Sequence, residues 1–216
     1  MREKVTTLNS KKKRSSSSRA WLLRQLNDPY VEGAHQEGYR SRAAFKLREI
    51  DQKYKIFKPS QNIVDLGCAP GGWLQVAQQR AKGGRLVGLD LQEIAPLEGV
   101  AFVQGDFTET QAVARLLEAL EGRFAQVLLS DMAAPSCGIS KIDYVRIMSL
   151  ISHVWELCPQ ILAPEGHLIA KVLRGGTEAE LLAPIKKHFR KISHFKPHAS
   201  RADSAEMYLV ARRYKP

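Results

Sequence analysis

Cysteine is scarce in this chain: Cys68, Cys137 and Cys158 are the only three in 216 residues, an odd count with no C-x-x-C spacing. That excludes a secreted disulfide framework, argues against a zinc site and fits a reducing, cytoplasmic setting. Long apolar runs are missing too. No stretch approaches the ~18 residues that a membrane span needs, and the first 20 residues lack the apolar segment of a secretory signal. A soluble protein without a membrane partner is expected. The six histidines read as ordinary helix or loop residues, so no metal is expected either.

Acidic residues are also in short supply, 22 against 33 lysines and arginines, for a formal charge of +11. A positive excess of this size on a soluble chain points to a polyanionic partner such as nucleic acid, through counterion release and long-range steering. The excess is concentrated at the start, where residues 1–24 hold eight bases and one acid. The tract Lys11 to Ser18 (K-K-K-R-S-S-S-S) is low in complexity and reads as a solvated arm, with RNA contact, plain solvation and a targeting address all open to it. Over the whole chain, 44% hydrophobic and 25% charged residues match a globular protein, and the length favours one domain with a short appendage.

From Ser41 the pattern becomes periodic. Ala43, Leu47, Ile50 and Tyr54 recur at steps of three and four, which predicts a helix with Ser41 as its N-cap and with Arg42, Lys46 and Lys53 turned away from the apolar stripe. After Pro59, apolar runs alternate with helical stretches. Strands are expected near Asn62–Leu66, Arg85–Asp90, Ala101–Gln104, Gln126–Ser130, His167–Val172, Lys191–Phe195 and Met207–Arg212. Helices are expected near Gly72–Ala81, Gln111–Leu120, Tyr144–Leu162 and Glu178–Phe189. Such alternation implies an α/β fold, a mostly parallel sheet covered by helices on both faces. The last two strands are nearly consecutive, so one of the seven should run antiparallel.

Ligands of such sheets sit beyond the carboxyl ends of the strands. The first strand runs into D-L-G-C-A-P-G-G-W (Asp65 to Trp73) and then a helix. Glycines at that turn allow close backbone approach, and the helix start offers unpaired N–H groups. The spacing of Gly67, Gly71 and Gly72 matches neither a dinucleotide fingerprint nor a phosphate loop. A purely structural turn is the competing interpretation. The next strands end in Asp90, Asp106 and Asp131, so four consecutive strands, counting Asp65, each deliver an aspartate near the carboxyl edge. Any one of these fits a cap or turn. Four together fit a ligand site better, with Asp90 suited to accept both hydroxyls of a ribose.

These motifs, with S-R-A-A-F-K-L (Ser41 to Leu47), S-D-M-A-A-P (Ser130 to Pro135), A-K-V-L (Ala170 to Leu173) and S-A-E-M-Y-L-V (Ser204 to Val210), resemble the FtsJ/RrmJ family. The likeness covers about Tyr39 to Arg212. It implies a Rossmann-like class I methyltransferase domain over residues 39–216, preceded by a basic, partly disordered arm over residues 1–38. It further implies S-adenosyl-L-methionine as cofactor and transfer of its methyl group to an RNA ribose 2′-hydroxyl. The family's Lys-Asp-Lys-Glu tetrad maps onto Lys46, Asp131, Lys171 and Glu206, and its cofactor site onto Gly71, Trp73, Asp90, Asp106 and Asp131. The bacterial members that methylate a uridine of 23S ribosomal RNA look most similar, which implies the large ribosomal subunit as partner and a monomeric enzyme. Transfer RNA or a messenger cap as substrate, and a nonenzymatic ribosome-assembly factor, are the alternatives. The chain departs from the family pattern after Asp131 (M-A-A-P-S-C-G) and beside Glu206, where Arg201 stands without further arginines.

The chemistry constrains the roles. A sulfonium methyl is already electrophilic, so the protein must align the nucleophile and remove its proton. A lysine acts as general base only when its pKa falls toward the working pH. Lys171 lies in an apolar strand, where Lys46 would lower its pKa and Asp131 and Glu206 would raise it; the sequence does not decide between them. In this scheme Lys171 takes the proton, Lys46 and Glu206 hold the hydroxyl and ribose, and Asp131 orients Lys171. Trp73 either packs over the cofactor or fills core, and Cys68 is a small packing residue. Lys11 to Arg14, Arg40, Arg42 and Lys53 are candidates to bind phosphates.

Overall fold

The computed structural model describes residues 22–23, 25–133, 138, 140–174 and 179–216. The basic tract Lys11 to Ser18 and the residues at 134–137 lie outside the described residues. Seven strands form one sheet: β1 (Ile63–Leu66), β2 (Leu86–Asp90), β3 (Val100–Gln104), β4 (Ala125–Ser130), β5 (Leu162–Leu173), β6 (Phe189–Phe195) and β7 (Glu206–Tyr214). Their order across the sheet is β3-β2-β1-β4-β5-β7-β6. The first five are parallel, and β7 inserts antiparallel between β5 and β6. An antiparallel strand brings its first residues to the edge where its neighbours end, so Glu206 pairs with Leu173 and Tyr208 with Lys171.

Helices cover both faces, and strand parity decides which residue meets which layer. On one face Ile63, Val127, Leu129, Ile169, Tyr208 and Val210 pack under α1 (Pro29–Gln36), α2 (Ala43–Tyr54) and α3 (Gly72–Arg80). On the other, Val64, Leu66, Leu128, Ala170, Val172 and Leu209 pack under α4 (Thr110–Ala119), α5 (Ser140–Ile161) and α6 (Ala179–His188). All four residues of β1 are buried, as a central strand between two helical layers requires. Fully burying each such aliphatic side chain contributes roughly 1.5–3 kcal/mol.

The structure corrects the expected start of α2. Arg42, not Ser41, occupies the N-cap and makes no side-chain cap bond. The Ser41 hydroxyl is committed to packing on the glycine turn, where a Cβ on Gly72 would lie 2.4 Å from its oxygen. The buried residues are Ala44, Leu47, Ile50 and Asp51, so Leu47 and Ile50 of the expected stripe are buried, and Ala43 and Tyr54, also expected, are partly buried against the same core. Lys46, expected to turn away from the stripe, instead points inward, with a side-chain exposure of 12%.

Helix α1 lies within the segment expected to form the arm, and it is tied down. Asp28 caps it by accepting from the Tyr30 N–H at 3.1 Å, and the same carboxylate accepts from Arg42. Strand β5 begins at Leu162, five residues before the expected His167, with a register irregularity against β4 between Ala125 and Val127. Among the described residues no helix is long and apolar enough to cross a membrane.

Candidate active site

Four strand ends and one helix meet at the carboxyl edge of β1, β4 and β5. Lys171, near the end of β5, shares a face with Ile169 and so points toward the α2 layer. Its Nζ lies 2.8 Å from Asp131 Oδ1, 2.7 Å from the Asp131 carbonyl oxygen and 3.5 Å from Glu206 Oε2. Lys46, from the first turn of α2, donates to both Glu206 oxygens at 2.7 and 2.9 Å and stands 4.0 Å from Asp131 Oδ2. Two ammonium groups and two carboxylates therefore alternate in one half-buried cluster, which joins all four residues expected from the motifs.

Two further residues complete it. Tyr208 is fully buried opposite Lys171 and donates its hydroxyl to Asp131 Oδ1 at 2.6 Å. Ser200 donates to Glu206 Oε1 at 2.7 Å. Sequence reasoning passed over both. Tyr208 stands two residues after Glu206 in a strand, so period-two parity marks it as facing the same way. Ser200 sits in the loop before β7, where no spacing rule reaches it.

The protonation states follow from these neighbours. Burial works against the Lys171 charge, but Asp131 and Glu206 outweigh it and hold the ammonium above its ordinary pKa. Burial likewise opposes the Glu206 charge, and Lys46 and Lys171 overcome it, pulling the carboxyl from 4.5 down to about 2. The competition that the sequence left open is thus decided in favour of the acids: Lys171 rests protonated. Burial, reinforced by Asp131 and Glu206, raises the Tyr208 phenol well above 10.0, so it remains a neutral donor.

Beside the cluster a cleft of about 600 Å³ opens between the ends of β1, β2, β3 and β4. Gly67, Ala69, Asp90, Asp106, Phe107, Asp131 and Met132 line it. Gly67 has φ +71°, and a Cβ there would come within 2.1 Å of the Met132 side chain, so both backbone freedom and close packing require glycine. Asp90 accepts from the Ala69 and Gln92 N–H groups, each at 2.8 Å. Asp106 accepts from the Thr108 N–H and hydroxyl at 2.9 and 2.7 Å, and these bonds lower its pKa.

Two residues assigned to the cofactor do not line this cleft. Gly71 faces Arg40 and Leu97, and Trp73 is only 3% exposed, donating its indole N–H to the Ala43 carbonyl at 2.8 Å and tilting against Tyr208. Of the two roles weighed for Trp73, the structure places it in core. Gly71 opens α3 in a left-handed conformation, so both act on the cleft by shaping the turn. Cys68 is likewise a packing residue, its thiol pKa raised by burial.

Asp65 has a different environment. It is 1% exposed, both carboxylate oxygens lack a hydrogen-bond partner, and burial followed by the charges of Asp131 and Asp90 raises its pKa well above 3.8. It borders a small cavity of about 40 Å³ with Ser41, Gly67, Trp73 and Asp131. An orphaned acid next to an apolar cleft rimmed by carboxylates suits a ligand with hydroxyl donors and positive charge. An adenosyl sulfonium compound has both.

Arg40 and Arg42, candidates for phosphate binding, are committed internally. Arg40 donates to the carbonyls of Pro70, Ala95 and Pro96, and Arg42 to Asp28 and the Ala199 carbonyl. Lys53 stays exposed. His194 and His198 are four apart, but they stand on β6 and the loop after it, so this spacing does not put them on one helix face. Among the described residues no cluster of His, Cys, Asp or Glu could hold a metal ion.

Comparison with known proteins agrees with this geometry. A family model described as FtsJ-like methyltransferase matches residues 39–214. The ribosomal RNA large subunit methyltransferase E of Parvibaculum lavamentivorans is 53% identical over 215 residues, covering 94% of this chain and 84% of that protein. Its counterpart in Rickettsia africae is 46% identical over 216 residues, covering 97% and 95%. A crystal structure of a ribosomal RNA methyltransferase from Plasmodium falciparum superposes with a TM-score of 0.73 at 30% identity, covering 82% of this chain and 98% of that one.

Proposed function

The chain belongs to the FtsJ-like methyltransferase family, and on that premise we propose that it methylates the ribose 2′-hydroxyl of a uridine in 23S ribosomal RNA, using S-adenosyl-L-methionine. The observation that carries this reading is the alternating cluster of Lys46, Asp131, Lys171 and Glu206 at the mouth of a carboxylate-rimmed cleft. The relatives named above support the substrate class, since they carry the names of ribosomal RNA methyltransferases. The working setting is cytoplasmic, with the large ribosomal subunit as partner and the protein as a monomer.

When bound, the cofactor supplies an electrophilic methyl group on a positively charged sulfur. Asp90 and Asp106 would accept from its ribose and base donors, Asp65 and Asp131 would balance its positive charge, and Gly67 would give it access to the backbone. Catalysis then rests on alignment and one proton transfer. Lys46 and Glu206 hold the incoming ribose at the open side of the cluster. Lys171 first releases its own proton to solvent at the open side of the cluster and then accepts the hydroxyl proton through Nζ.

Asp131 controls that loss. Its carboxylate serves Lys171, Tyr208 and the cleft at once. A further cation in the cleft would weaken its hold on Lys171 and lower the amine pKa. The test is incubation of the protein with methyl-labelled cofactor and, separately, large subunits, free ribosomal RNA and transfer RNA, followed by mapping of the labelled nucleotide. Label on a 2′-oxygen of 23S RNA is expected. Label on a base, or only on transfer RNA, overturns the proposal.

A further inference from the structure

A second basic surface lies at the far end of the sheet from the cluster. Arg212 pairs directly with His167 on one side and Lys191 on the other, so three basic side chains form a row across β5, β7 and β6. The row lies on the α2 face, because the Arg212 guanidinium stacks over the Tyr54 ring at 4.8 Å. Lys53, two turns along α2 from Lys46, stands over the Phe195 ring at 4.4 Å, and Phe195 meets Tyr54 edge to face. Lys58 is close enough for its charge, with that of Arg212, to lower the His167 pKa, although burial does more.

Aromatic rings are the partners shown for Lys53 and Arg212, and no acid neutralises either. Among the described residues none of Lys53, Lys58, Lys191 and Arg212 forms an ion pair, and the Arg212 Nε is buried without an acceptor. The nearby acid, Glu165, is already taken by Arg190 and Arg213. Like charges directly opposite one another on a ladder are destabilising. Lysines on an edge strand often serve to block sheet-to-sheet pairing. That accounts for Lys191 on β6, but not for Arg212 on the interior strand β7 or for Lys53 on a helix.

We infer that Lys53, Lys58, Lys191 and Arg212 form a docking track for the sugar-phosphate backbone of the same RNA whose ribose enters the active site. The inference rests on the RNA substrate proposed above and extends it. Along β7, Glu206 and Arg212 are roughly 20 Å apart at about 3.3 Å per residue, room for several consecutive phosphates between cluster and track. Lys46 and Lys53 mark the two ends of the path on α2. Such contacts set the register of the RNA without reading its bases. An acidic protein segment is the rival occupant, and the test includes it.

The experiment compares the full-length protein with Lys53→Gln/Lys191→Gln, two exposed positions, and with Lys82→Gln as a charge-matched control elsewhere. Binding of a fluorescent 23S RNA transcript, a trinucleotide and poly-glutamate is followed by anisotropy as salt is varied. The double variant is expected to bind the transcript at least tenfold more weakly and to lower the slope of log K against log salt by about 1.5, at roughly 0.7–0.9 per phosphate contact. The trinucleotide, too short to reach the track, should bind as before, as should labelled cofactor. Unchanged transcript affinity and slope, or loss of poly-glutamate binding alone, overturns the track. Methyl transfer by the unaltered protein to large ribosomal subunits and to the same transcript is measured in parallel; its absence from both would sink the proposed reaction while leaving the binding result interpretable.

Discussion

The Tyr208 hydroxyl donates to Asp131 Oδ1 at 2.6 Å, the same oxygen that lies 2.8 Å from the Lys171 ammonium. One carboxylate oxygen thus answers to two donors, and the phenol limits how tightly Asp131 can grip the lysine. Tyr208→Phe removes that competitor and strengthens the Asp131–Lys171 pair. Single-turnover methyl transfer is expected to slow about tenfold to a hundredfold, within the span of general-base contributions. Cofactor affinity should shift less than threefold by calorimetry, and an unaltered transfer rate would remove Tyr208 from the proton path.

Lys171→Ala deletes the proposed base and should lower the single-turnover rate by about 10³ or more, leaving cofactor binding nearly intact. Lys171→Arg is the sharper test, because a guanidinium keeps the positive charge and cannot deprotonate. It should be as inactive as the alanine variant. Substantial activity in the arginine variant would show that charge at this position matters, not proton acceptance.

The raised pKa of Lys171 gives the pH profile its sign. Only the unprotonated amine accepts a proton, so the transfer rate should climb with pH through the neutral range. A tenfold gain per unit is the limit for one ionisation. Lys46→Arg should preserve that climb, since Lys46 is not the proposed base. A profile that falls from pH 7 to 9 in single-turnover assays contradicts the assignment.

Glu206 makes the cluster acid-sensitive. Its pKa drops from 4.5 to about 2 on folding, so its contribution is complete above 4.5 and is lost as the pH falls from there through about 2. The shift corresponds to something on the order of 3 kcal/mol. Glu206→Gln should lower the neutral-pH melting temperature and flatten that acid limb. Parallel melting curves of the two proteins between pH 2 and 7 would refute the idea.

Asp65 carries the opposite sign. Its folded pKa is raised, so the stability it contributes is complete below its ordinary value of 3.8 and declines as the pH rises toward the folded value. Asp65→Asn should remove this decline, making the protein without cofactor relatively more stable at pH 8, and should weaken cofactor binding. Identical pH dependence in both proteins would mean that Asp65 has found a partner.

Much of this was legible in advance because it rests on short-range pattern. Parity and glycine turns located β1 to β4 and placed Asp90, Asp106 and Asp131 on one edge, and motif likeness joined Lys46 and Glu206 across 160 residues. What failed were details set by tertiary packing. Lys46 is drawn inward by Glu206 on a distant strand, and Ser41 packs on Gly72, both contacts between elements far apart in sequence. Trp73 is core because its indole found the Ala43 carbonyl, and Arg40 is consumed by three carbonyls of neighbouring loops. No periodicity encodes such partners.

The reversed direction of β7 has a consequence for synthesis. Because that strand supplies Glu206 and Tyr208 to a constellation whose other members are made much earlier, a nascent chain can bury most of its sheet while still chemically silent. The cluster closes only once that strand is in place.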